Sequence, residues 1–274
     1  MKYRYFVNNR DGQIWQASFP RALHFSSWPQ LSILSNVGLG MRISKEYTFT
    51  SRALTLTGSD EPALLRAGVI GDIHCEDQVL ELVLQHFSRM RTDSVLAVGD
   101  IVDGVGDVNR VCALLAEHGV LAVAGNHDRW LLEGSMRELP NATAASTLRS
   151  EARFWLEQLP KTRSLQTPRG SMLLCHGFGD NDMATVWPED EGYALQANFA
   201  LRELIESRQH RFVVCGHSHK PMVRSIQSLI IINAGTLDRR DRQVCSIIDF
   251  ALGNAEFFDA SRGVITSAER FALS

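Results

Sequence analysis

Val69-Ile70-Gly71-Asp72-Ile73-His74 is the stretch on which the reading of this chain turns. It begins as a short apolar strand, turns at Gly71, and then presents a carboxylate and an imidazole two residues apart. In extended backbone, residues i and i+2 point the same way. Asp72 and His74 therefore aim at one common point. A buried carboxylate without a partner is costly, and a metal ion would suit both groups.

Downstream of this run the pattern is regular. Residues 77–90 read as a helix with Val79, Val83, Phe87 and Met90 on one face. Residues 94–98 read as a strand. A helix is expected from Asp107, its N-cap, through His118, stopped by Gly119. Strands are expected at 120–124, 171–175 and 211–215. Helical segments are expected at 128–160, broken at Pro140, and at 190–207. Strands alternating with helices imply parallel βαβ units. Residues 228–233, 243–250 and 256–258 then read as strands joined by turns, with Leu252-Gly253-Asn254 as a hairpin loop. A parallel half gives way to a more antiparallel one.

Upstream, residues 1–65 differ in character. They hold Pro20, Pro29, Pro62, Trp15 and Trp28, and short alternating runs at 3–7 and 47–50 that suggest brief strands. No chemistry is evident there. The expectation is an N-terminal extension packed on a main domain of residues 66–274.

The bulk numbers exclude some functions. A net charge of −3 gives no whole-molecule reason to bind nucleic acid or an anionic membrane. No apolar run approaches the ~20 residues of a membrane span, and the first residues lack a signal-peptide core. The five cysteines (75, 112, 175, 215 and 245) are scattered, with no CxxC pair. Reduced thiols in a cytoplasmic protein are the expectation.

Each strand of the first half finishes in ligand-capable residues. The ends are Gly71-Asp72-Ile73-His74, Gly99-Asp100, Gly125-Asn126-His127-Asp128, His176-Gly177 and Gly216-His217-Ser218-His219. In open α/β sheets, ligands bind at the carboxyl ends of strands. Asp72, His74, Asp100, Asn126, His127, His176, His217 and His219 thus converge on one edge. Taken singly, a His at a strand end is an ordinary hydrogen-bonder and a Gly-Asp an ordinary turn. Their joint occurrence at successive strand ends points to chemistry. Imidazole and carboxylate suit Mn, Fe, Zn or Ni better than Ca, and the two oxygens of Asp100 allow it to bridge two ions. Two ions roughly 3.5–4 Å apart can clamp an in-line displacement at phosphorus and bring the pKa of a bound water down towards about 7.

These blocks, GDIH, GDIVD, GNHD, a lone HG after an apolar strand, and GHSH, resemble the successive signatures of the calcineurin-like metallophosphoesterase superfamily over about residues 67–250. The resemblance implies a four-layered α/β/β/α sandwich of two mixed sheets flanked by helices. It also implies two divalent transition-metal ions, with manganese favoured, and phosphoester hydrolysis by a metal-bridging hydroxide. By the same resemblance, Asp72, His74 and His219 would hold one ion. Asn126, His176 and His217 would hold the other, and Asp100 would bridge. His127 is similar to the family's catalytic histidine outside the ligand set.

Protein phosphatases of the superfamily carry an Arg where this chain has Gly104, which argues against that activity and against symmetrical diadenosine tetraphosphatases. The GDIVDGVGDVNRV text, WLEQLP at 155–160 and Asn233-Ala234-Gly235-Thr236 resemble the small bacterial phosphodiesterase branch. The expected substrate is a small, nucleotide-like phosphodiester rather than a nucleic acid. Phosphomonoester or dinucleotide polyphosphate hydrolysis, and a non-catalytic metal-binding scaffold, are the alternatives. Arg129 and Arg239 are the candidate substrate-binding residues, with Lys220 and Arg240 beside motif blocks as well. Cys75 reads as a small filler. Residues 178–193, with Trp187, read as a lid or a packed loop.

Overall fold

In β3 (Arg66–Ile70), alternate residues serve two different cores. Ala67 and Val69 face one apolar cluster and Ile70 faces another. The same division runs through β4 (Ser94–Ala97), where Leu96 and Ala97 part company. Strands covered on both faces read as unbroken apolar runs in sequence, which is why these strands stood out. The coordinates are a computed structural model that describes residues 2–7, 14–19 and 63–273.

The chain divides into two units, Met1–Glu61 and Pro62–Ser274. In the first, β1 (Lys2–Val7) pairs antiparallel with β2 (Ile14–Phe19), Lys2 opposite Phe19 and Val7 opposite Ile14. The strand expected at 3–7 falls within β1. The strand expected at 47–50, and the expected packing of residues 1–65, lie outside the described residues.

In the second unit, α1 (Asp77–Arg89) follows β3. After β4 come α2 (Val108–Glu117), β5 (Leu121–Ala122), α3 (Asn126–Glu133) and α4 (Ser150–Glu157). Next are β6 (Thr162–Thr167), β7 (Gly170–Cys175), α5 (Tyr193–Ala197), α6 (Phe199–Ser207) and β8 (Phe212–Cys215). The chain ends in β9 (Met222–Ile226), β10 (Leu229–Asn233), β11 (Val244–Asp249), β12 (Asn254–Asp259) and β13 (Thr266–Ala272). One mixed sheet has the order β13-β12-β11-β3-β4-β5, and the other β6-β7-β8-β10-β9. Within them, β3, β4 and β5 are parallel, as are β7, β8 and β10.

The two sheets share an inner core that includes Val69, Leu96, Val98, Met172, Leu174, Val214, Ile232 and Phe250. On the outer face of the six-stranded sheet, Leu80, Phe87, Val111, Leu115 and Leu156 of the helices cover Ile70 and Ala97. On the outer face of the other, Leu201 of α6 covers Val213 and Ile231. This is the α/β/β/α sandwich that the motifs implied.

Two helical expectations are redrawn by local caps. The segment expected at 128–160 is α3 and α4 with irregular chain and one 3-10 turn (Ala145–Thr147) between them, and α3 starts at Asn126 because Asp128 Oδ2 accepts the Gly125 N–H at 2.9 Å. The segment at 190–207 divides at Asn198, whose side chain caps α6 by accepting from Leu201 N. Among the described residues, no helix is long and apolar enough to cross a membrane.

Candidate metal centre

The parallel strands of both sheets deliver the eight candidate residues to one edge. Asp72 and His74 follow β3, Asp100 follows β4, and Asn126 and His127 open α3 after β5. His176 follows β7, while His217 and His219 follow β8. All except His127, His217 and His219 are buried. The loops that carry them are tightly wound. His74, Asp100, His217 and His219 have φ of 45°, 46°, 66° and 60°, and Asp103 has 63°. Non-glycine residues reach this left-handed region at a cost, and such strain gathers at functional sites.

Second contacts fix which ring nitrogens point inward. His74 Nδ1 donates to the Asp103 carbonyl oxygen at 2.9 Å, and His219 Nδ1 lies 3.0 Å from Asp241 Oδ2. Both acceptors require N–H on Nδ1, so in neutral rings both Nε2 atoms are bare, and they stand 3.2 Å apart. His176 Nδ1 donates to the Val98 carbonyl at 2.9 Å. Its Nε2 faces Asn126 Oδ1 at 2.9 Å and Asp100 Oδ2 at 3.3 Å. His217 Nδ1 lies 2.9 Å from the same Asn126 oxygen. Lone pairs thus face lone pairs and a carboxylate in a buried place. Divalent cations resolve that arrangement, so the donor set fits them.

Three groups have ligand atoms within 4.8 Å of one another: His74, His219 and Asp238; His74, Asp100 and His127; and Asp100, His176 and His217. Asp100 belongs to two of them. Burial by itself would raise the Asp100 pKa. The imidazoles of His176, His74 and His127 outweigh it and hold the carboxylate well below its usual range. Burial likewise lowers His176, but the charge and hydrogen bond of Asp100, with Asp72 behind, raise it overall. Asp72 is fully buried, with its carboxylate 3.1 and 3.2 Å from His217 N and 3.4 Å from His176 Nδ1.

His127 shares a group with His74 and Asp100 and also has a partner outside the donor set. Its ring packs edge-on to His74, with centroids 5.0 Å apart, and its Nδ1 meets Asp103 Oδ2 at 2.8 Å. Burial lowers its pKa, yet the Asp103 hydrogen bond and the charges of Asp100, Asp103 and Asp128 leave it raised.

The two candidate substrate-binding arginines sit in ion pairs. Arg129 grips Asp182 through Nε at 2.6 Å and Nη2 at 3.1 Å, and reaches Glu133 at 3.3 Å. Arg239 grips Glu76 at 2.6 and 2.8 Å. Lys220 pairs with Asp241 and Arg240 with Asp238. Arg129 borders a cavity of about 550 Å³ that also includes Lys161, Phe178, Asp182, Phe199 and Glu203. Phe178 is buried and Trp187 is 40% exposed. Cys75 is buried, its thiol pushed up to about 12 by burial, 3.7 Å from the Thr143 hydroxyl.

Several residues at the site escaped the motif reading. Asp103 was visible as the second Asp of Gly99-Asp100-Ile101-Val102-Asp103, but its role needed the fold. Asp128 accepts from Gly125 N, Ile101 N and Val102 N, tying α3 to the Asp100 loop. Asn233 donates to the Gly216 carbonyl at 2.6 Å and to Ser218 Oγ at 3.0 Å, fixing the turn that presents His217 and His219. Asp238 and Asp241 belong to a stretch with no periodic signal, and Arg137 to irregular chain that the sequence reads as helix.

A family model described as the calcineurin-like phosphoesterase superfamily domain matches residues 65–252. No curated protein sequence matches the chain. Among solved structures, it is similar to a hypothetical protein from Pyrococcus horikoshii OT3, with 14% identity and a TM-score of 0.59 over 71% of this chain and 87% of that one. It is also similar to a metallophosphoesterase from Sphaerobacter thermophilus, with 20% identity and a TM-score of 0.50 over 69% and 84% of the two chains. At these identities the structural likeness speaks to the fold.

Proposed function

The chain belongs to the calcineurin-like phosphoesterase superfamily, and from that premise we propose that its ligand-rich edge is a two-cation site that hydrolyses a small, nucleotide-like phosphodiester. One observation carries this reading. Asp100 Oδ2 lies 3.9 Å from His74 Nε2 and 3.3 Å from His176 Nε2, so one carboxylate reaches both halves of the donor set.

In this reading Asp72, His74 and His219 hold one ion, Asn126, His176 and His217 the other, and Asp100 both. Manganese is the favoured ion, with Fe, Zn and Ni as the other candidates. When bound, such ions supply an acidified water as nucleophile and positive charge for the phosphoryl oxygens. The protein does the rest. Asn126, as a neutral ligand, limits the negative charge that would repel a phosphodiester. His127 holds one proton on Nδ1, against Asp103, and delivers another from Nε2 to the departing oxygen. Arg129 and Arg239 would exchange their carboxylate partners for substrate phosphate, for which a guanidinium fork is well shaped. Residues 66–274 are the catalytic unit, with 1–65 as an extension. Five buried free cysteines fit a cytoplasmic setting.

The test is a panel of bis(p-nitrophenyl) phosphate, p-nitrophenyl phosphate, cyclic nucleotides and dinucleotide polyphosphates, run with each ion and with metal content measured. Diester hydrolysis supported by manganese is expected. His127→Ala should lose about 10²-fold in kcat while keeping its metal. Faster monoester turnover would redirect the substrate class. Metal bound without hydrolysis of any ester would make the site a scaffold.

A further inference from the structure

Asp103 is outside the proposed ligand set, yet it touches two residues of the site at once. Its carbonyl oxygen takes the His74 Nδ1 proton and its Oδ2 takes that of His127. It is 2% exposed. A buried carboxylate with two such tasks needs a fixed orientation, and one loop supplies it. Arg137 Nη1 donates to Oδ1 and Nη2 to Oδ2, each at 2.9 Å. Thr143 N donates to Oδ1 at 2.8 Å, and Thr143 Oγ1 accepts the Asp103 N–H at 2.9 Å. Arg137 is itself anchored, with Nε on the Ser135 carbonyl at 2.7 Å and Nη1 3.4 Å from that of Thr143.

We propose that Arg137 is a positioning residue for His127. Its two-pronged grip fixes the plane of the Asp103 carboxylate, and the Oδ2 lone pair then fixes the His127 ring. The planar fork matters as well as the charge, because only a guanidinium meets both carboxylate oxygens in parallel. Without it, the carboxylate keeps Thr143 N but is free to turn about its last bond. The His127 ring then drifts from the departing oxygen, and a misplacement of about 1 Å can cost about 10²-fold in rate. This rests on the reading of His127 as proton donor to the leaving group.

The test compares Arg137→Met and Arg137→Lys with the wild type, each loaded with manganese. Metal per chain is measured first. The kcat is then measured on two phosphodiesters, one with a p-nitrophenolate leaving group that departs unaided and one with an alkoxide that needs a proton. Expected are unchanged metal content, a loss of about 10- to 10²-fold on the alkyl ester and a clearly smaller loss on the aryl ester. In a His127→Ala background, Arg137→Met should add no further loss on the alkyl ester. Equal losses on both esters, additive losses in that background, or no loss would overturn the proposal. If Arg137→Met fails to fold, Arg137→Lys, which keeps the charge and loses the fork, carries the same comparison.

An imidazole nitrogen NMR spectrum of the proteins loaded with diamagnetic zinc gives a readout independent of turnover. The His127 Nδ1–H signal should shift or vanish in the Arg137 variants, while exposed His118 stays put. An unmoved His127 signal would overturn the proposal. If the wild type hydrolyses neither ester, the functional reading falls, and this spectrum still decides whether Arg137 positions the ring.

Discussion

Gly104 leaves no room for a side chain. A Cβ there would stand 1.7 Å from the His74 carbonyl oxygen. The loop after β4 therefore lies directly on the loop after β3, and Asp103 beside it can reach both His74 and His127. The Asp103 pKa is raised by burial but lowered further by hydrogen bonds from His127, Arg137 and Thr143, leaving it below the usual 3.8. A carboxyl depressed in the folded state adds stability above its unfolded value, and that stability is lost as pH falls through the folded value. Asp103→Asn should therefore lower Tm at pH 7, with the gap to wild type narrowing below about pH 4. A gap that stays constant down to low pH, in a thermal unfolding series, would show that the ionised carboxylate is not the source. The ligand candidates were legible because each lies within three residues of a glycine at the end of an apolar run. Arg137 was not: it meets Asp103 across 34 residues, from irregular chain that the sequence reads as helix.

At the scale of elements, α1 is seated on β3 through one ring. Phe87 is fully buried, and a Cβ on Gly68 would stand 2.5 Å from that ring. Phe87→Ala should cost about 3–5 kcal/mol in denaturant unfolding. Gly68→Ala should be strongly destabilising alone but much milder beside Phe87→Ala, since the ring it strikes is gone. Additive effects in that cycle would mean the ring and the glycine are not coupled. The central strands and α2, with its Asp107 cap, were legible in the sequence because burial on both faces and capping leave local signals. The strands β6, β9 and β13 were not foreseen. They are outer strands of their sheets, and each mixes polar residues into its run, as in the exposed run of β13. An edge strand lacks the two-sided apolar signature that marks a central one.

Across the second unit, the candidate ligands come from both sheets. Asp72, His74, Asp100 and Asn126 follow strands of one, and His176, His217 and His219 follow strands of the other. Bound cations would tie the sheets together at their shared edge. An ion at 100 times its dissociation constant adds about 2.7 kcal/mol to the folded state. A chelator should therefore lower Tm by several degrees, and added manganese should restore it. A Tm indifferent to both, in protein shown to bind metal, would place the ions away from the seam between the sheets.

The order of strands also sets a timetable. β3 lies between β4 and β11, and its pairing with β11 joins Ile70 to Cys245. On the ribosome, β3 emerges well before β11, its second neighbour. Until β11 follows, one edge of this apolar strand has no mate, and a bare strand edge is an invitation to other chains. Metal loading follows the same clock, because His219 leaves the tunnel long after Asp72. The centre is complete only once His219 has emerged, so a nascent chain needs shelter until then.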